Sequence, residues 1–102
     1  MGYESTRCPK CGVAIGEPVA SIAGSVMGDE LVRTYYFCGT CQVYFIEHYR
    51  DSFTMGDSSE LSGELPKAKG DALIAVIRRC ERPWDKRCRC AAHMEYFGDA
   101  LD

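Results

Sequence analysis

Seven cysteines and two histidines carry the chemistry that this 102-residue chain offers. Cys8-x2-Cys11 is followed, 26 residues on, by Cys38-x2-Cys41. A second group, Cys80-x7-Cys88-x-Cys90-x2-His93, lies near the far end. Thiolates and imidazoles are metal ligands, and a C-x-x-C turn aims two sulfurs at one point. A disulfide framework would leave one cysteine of an odd set unpaired. The opening residues MGYESTRCPKCG have no apolar segment of the kind that directs secretion. The expectation is therefore a reducing compartment, the cytoplasm, with the sulfurs held reduced for metal. Four ligands plus four use all seven cysteines and leave only His48 over.

Cys8-Pro9-Lys10-Cys11-Gly12 and Cys38-Gly39-Thr40-Cys41 each adjoin a β-forming run. In that setting they resemble the two knuckles of a zinc ribbon, over residues 6–49. The resemblance implies a closed four-sulfur shell around one zinc and says nothing of a biochemical role. Rubredoxin holds a single iron between similar knuckles, so iron is the alternative at this site. Its second knuckle normally carries the proline, whereas here Pro9 lies in the first. A thioredoxin-like redox pair is disfavoured, because no long helix is expected after Cys11 or Cys41.

At the second group, a helix starting near Cys90 places Cys90 and His93 on one face, three residues apart. Cys80 closes the preceding helix, Pro83-Trp84 turns the chain back, and Cys88 completes a Cys3His set, which also suits zinc. The alternative is an iron–sulfur cluster in a redox protein that passes electrons to a partner, although the close C-x2-C-x2-C run is missing. Without Cys80 the set would be Cys2His with an open position, a catalytic arrangement. No phosphate-binding loop, nucleophile elbow or deaminase signature accompanies it, and no enzyme activity is expected. The last forty residues, RPWDKRCRCAAH among them, resemble no family from which a function carries over.

Three β-rich runs position the first site: PVASIAGSVM at 18–27, LVRTYYF at 31–37 and VYFIEHY at 43–49, with Gly28-Asp29 marking a turn. They predict a three-stranded antiparallel sheet. The polar, Gly/Ser-rich residues 50–65 read as a linking loop. Pro66 suits the first turn of a helix whose apolar positions 72, 73, 76, 77 and 80 follow helical spacing, with Gly70 weakening it and Pro83 ending it. A shorter helix over 90–97 stops at Gly98. The expected fold is a small α+β metal-bound domain spanning residues 1–102: a ribbon half at 6–49, the loop, and a helical half at 66–102 with the second site. A chain this short buries a small core, so metal staples have a clear purpose.

The formal charge is −3. Residues 78–89 alone hold six of the twelve basic side chains, Arg78, Arg79, Arg82, Lys86, Arg87 and Arg89. They would offset thiolate charge or dock an acidic protein partner. The tyrosines of the sheet and Trp84 are further candidate contacts. The acidic total disfavours nucleic acid, and no apolar run is long enough for a membrane helix. The chain therefore reads as a two-zinc interaction module or an accessory subunit of a larger assembly.

Overall fold

The computed structural model describes residues 7–52, 54, 56–98 and 101, so Thr6, where the ribbon half was expected to begin, lies outside it. β1 (Ala20–Val26), β2 (Asp29–Cys38) and β3 (Val43–Ser52) form an antiparallel meander in which Tyr35 faces Ala20 on one side and Ile46 on the other. β4 (Gly56–Leu61) and the two-residue β5 (Leu65–Pro66) both pair with β3, giving five strands. Two helices follow, α1 (Lys67–Arg78) and α2 (Ala91–Phe97). The fold is a small α+β unit of the expected class.

The expectation of three strands and a loop over 50–65 is corrected by β4 and β5. Every residue of β4, GDSSEL, is exposed, so no apolar alternation marks it as a strand. Its pairing runs from Glu47 opposite Leu61 to Ser52 opposite Gly56. The Ser59 hydroxyl reinforces it by donating to the Glu47 carboxylate at 2.7 Å. Between β4 and β5 the main-chain ladder is bridged by Ser62. Its N–H donates to the Ile46 carbonyl at 2.8 Å, and its Oγ accepts the Ile46 N–H at 3.0 Å.

Both sheet faces are covered, which is why residues 43–46, VYFI, are apolar without alternation. On one face Ile22, Tyr35, Tyr44 and Ile46 pack with Ile74 and Ile77 of α1, joined at the rim by Tyr96 and Phe97 of α2. On the other, Phe45 and Cys38 pack with Cys8. The inward face of α1 is Gly70, Ile74 and Ile77, with Ala72 exposed, so the expected stripe is rotated. The reason is Gly70. A Cβ there would collide with the Tyr44 ring, so the glycine lets the helix lie directly on the sheet. Gly24 does the same for α2: a Cβ would stand 2.7 Å from the Phe97 ring. The helix also ends earlier than Pro83, at Arg78 with Arg79 as its cap.

Candidate metal centres

The first centre is one turn used twice. In the first knuckle the N–H groups of Lys10 and Cys11 both point at the Cys8 sulfur, each at 3.4 Å, and the Gly12 N–H donates to the Cys8 carbonyl at 2.8 Å. In the second, Cys41 N–H points at the Cys38 sulfur at 3.5 Å and Gln42 N–H donates to the Cys38 carbonyl at 2.8 Å. Each turn needs left-handed backbone at its end, supplied by Gly12 at φ 79° and by Gln42 at φ 57°. Gln42 is no glycine, and its amide offsets the strain by donating to the Gly39 carbonyl at 2.6 Å.

Cys8 and Cys41 stand 3.8 Å apart at sulfur, Cys11 and Cys38 3.7 Å, and all four sulfurs lie within 4.8 Å of one another. A tetrahedron with metal–sulfur bonds of about 2.3 Å has edges of about 3.8 Å. A disulfide would bring two sulfurs to about 2.05 Å, and all seven cysteines are free. Cys8 and Cys38 are buried, while Cys11 is exposed. Burial works against a thiolate at Cys8. The N–H groups of Cys11 and Lys10, with the neighbouring thiols, outweigh it and bring Cys8 down to about 7. Cys41 is pushed up to about 12, first by its hydrogen bond to Cys11 and then by burial. Only a cation at the centre favours four thiolates together.

The second centre joins the end of α1 to the start of α2. Cys80 N–H donates to the Ile77 carbonyl at 3.0 Å and so stays bound to the last turn of α1. Two further turns, Asp85 N–H to the Arg82 carbonyl and Cys88 N–H to the Asp85 carbonyl, both 3.0 Å, bring Cys88 back. Cys90 caps α2, and His93 rises from that helix's first turn. The sulfurs of Cys80 and Cys88 are 3.8 Å apart, and His93 Nδ1 lies 3.1 Å from Cys80 Sγ and 3.7 Å from Cys90 Sγ. A tetrahedral sulfur–nitrogen edge is about 3.6 Å, so this set also fits one ion.

His93 is fully buried, and its other nitrogen, Nε2, lies 2.9 Å from the carbonyl of Ala23. A carbonyl can only accept, so this contact places the ring proton on Nε2. The Nδ1 lone pair then faces the sulfurs, the arrangement a ligating histidine needs. The N–H of the same residue, Ala23, donates to the Pro83 carbonyl at 2.7 Å. Both main-chain groups on the outer side of β1 at this point are thus taken up by the second centre. The Cys90 thiol is drawn down to about 6 by the His93 N–H and ring, and burial pushes Cys80 up to about 11 despite the Arg82 N–H.

The structure thus brings all eight candidate ligands into two groups and leaves His48 outside both. His48 lies half-buried on β3 opposite Arg33, and burial, then the Arg33 charge, lowers its pKa. In the basic segment three of the six cations meet carboxylates. Arg79 pairs with Glu95 at 2.6 Å, Arg82 with Asp85 and Lys86 with Glu30 at 3.9 Å. The hydrogen bonds described at sulfur from outside the ligand sets come from main-chain N–H groups. Trp84 is 71% exposed, as a candidate contact residue would be. Sequence reasoning missed Ala23 and Gly24, whose only signal is the run of small residues in SIAGS. No helix among the described residues is long and apolar enough to cross a membrane. No protein-family profile, curated protein or solved structure matches the chain.

Proposed function

We propose that each centre holds one zinc ion and that the chain is a non-catalytic interaction module, an accessory subunit of a larger assembly in the cytoplasm. One observation carries this reading. Each centre offers four protein ligand atoms at tetrahedral spacing, and four ligands leave no open position for substrate. The paired knuckles support a zinc-ribbon-like first half. In the second half Cys80, Cys88, Cys90 and His93 would hold zinc, and the bound ion would supply a rigid crosslink between α1, the 80–90 loop and α2. Ala23 orients His93 for that task, and Pro83 ties the loop to the sheet.

Sulfur-to-nitrogen and sulfur-to-sulfur spacings of 3.1 to 3.8 Å at the second centre favour a single ion. A cluster distributes its ligands over several irons and spreads them further apart. At the first centre a single iron would need the same spacing as zinc. Elemental analysis with a visible spectrum of anaerobically purified protein separates the cases. The expected result is colourless protein with two zinc ions per chain. A red single-iron chromophore, a brown cluster, or fewer than two metal ions would refute the assignment. Seven thiolates and two divalent ions take the formal charge from −3 to −6, so a protein partner is favoured over nucleic acid.

A further inference from the structure

Two large apolar side chains are displayed at one end of the sheet. Trp84 is 71% exposed and Met27 85% exposed, the two most exposed large apolar residues described. Met27 and Gly28 form the tight turn between β1 and β2, both with positive φ, 52° and 84°. Such a turn prefers asparagine or glycine at its first position, and methionine is both strained and unsheltered there. A left-handed backbone at an exposed apolar side chain points to a role outside the fold.

Trp84 is held toward the same end. Pro83 is bonded to Ala23 in mid-β1, and Lys86 pairs with Glu30, just past the turn. Residues 83–86 therefore run along the free edge of β1 toward Met27. The loop is rigid: besides its two internal turns, Asp85 accepts the Arg87 N–H at 2.9 Å, and Cys80 and Cys88 anchor both ends at the second centre. An indole fixed in advance in water loses little freedom on docking.

We propose that Trp84 and Met27 are the apolar anchors of one docking surface, and that its partner is an acidic, amphipathic segment of another protein. The reading rests on the zinc-stapled module above, because the second centre stiffens the loop. Tryptophan, methionine and arginine are the residues enriched at interface centres. Arg82 and Arg87, two residues before Trp84 and three after it, are exposed and supply positive charge that selects acidic side chains. Nucleic acid fits less well. Met27, the second anchor, gives a base nothing to stack on.

Trp84 is the chain's single tryptophan, so its fluorescence reports on this surface alone. The test is selection of a randomised peptide display library on the full metal-loaded chain, then titration of the enriched peptides against Trp84 emission. Enriched peptides should combine acidic and large apolar residues, shift the emission to the blue and lose affinity as salt rises. Trp84→Ala, followed by calorimetry, should weaken them on the order of thirtyfold. Met27→Asn should weaken them by roughly fivefold while leaving the turn intact. Arg87→Glu should slow association. No enriched peptide, peptides without acidic residues, or binding indifferent to Trp84→Ala would overturn the proposal. So would an oligodeoxythymidylate that quenches Trp84 more tightly than any peptide, or self-association in sedimentation that buries the indole. Zinc content measured on the same samples keeps the two readings apart: metal loss in the parent chain refutes the zinc assignment, whereas two zinc ions with no peptide response refute only the surface.

Discussion

Replacing His93 separates its two roles, because Nδ1 faces the sulfurs while Nε2 holds Ala23. A His93→Cys variant keeps a fourth ligand atom at similar reach from the main chain but has nothing to donate to Ala23. The lost bond, 2.9 Å at a fully buried ring, leaves a carbonyl unpaired on the edge of β1. An unpaired buried acceptor costs about 1–3 kcal/mol. Replacing imidazole by the smaller thiol adds about 1 kcal/mol of cavity cost. The expected loss is about 2–4 kcal/mol, a fall in Tm of roughly 10–25 °C for a chain of this size. Two zinc ions should remain bound. Faster hydrogen exchange of the Ala23 amide should show that the loop has loosened from β1. His93→Ala should instead lose the second ion on dialysis. Elemental analysis, thermal denaturation and amide exchange on the two variants decide the matter. If His93→Ala kept its second ion at undiminished affinity, Nδ1 would not be a ligand. If His93→Cys melted with the parent, the Ala23 link would contribute nothing.

Three further outcomes follow from the packing. Gly70→Ala should destabilise: helix propensity gains about 1 kcal/mol, but forcing a methyl into the Tyr44 ring costs about 1–3 kcal/mol. The ring cannot swing aside freely because its hydroxyl is bonded to Asp71, and a urea titration showing higher stability would contradict this. Ser62→Ala should cost on the order of 1 kcal/mol and speed exchange of the Ile46 amide, which loses its acceptor; unchanged exchange would show that water replaces the hydroxyl without penalty. Burial raises the pKa of Tyr35, Tyr44 and Tyr96, with Tyr44 reaching about 12. Groups raised in the folded state stabilise it fully below their unfolded value, about 10, and lose that contribution as pH climbs through the folded values. Alkaline titration should therefore show tyrosinate absorbance appearing together with unfolding above pH ~10. Independent ionisation of these three rings near pH ~10 in a folded protein would refute the packing.

The candidate ligand groups were legible in the sequence because metal chemistry demands particular atoms at short, countable spacings. Cys8-x2-Cys11 and Cys38-x2-Cys41 declare a turn and a target without reference to the rest of the chain. The first three strands were legible for a similar reason, since β-branched and aromatic runs between turn residues are local signals. β4 was not, because an exposed polar edge strand owes its existence to the backbone of β3 and leaves no apolar pattern. The stripe on α1 was misplaced by a local reading of Gly70, which propensity treats as a weakness and the Tyr44 ring requires. His93 shows the division most clearly. Its spacing from Cys90 proposed it as a ligand, but the carbonyl that orients it belongs to Ala23, 70 residues earlier. Ligand identity resides in side-chain chemistry, which the sequence spells out. Ligand orientation depends on a main-chain group that every residue possesses, and only tertiary packing decides which one is near.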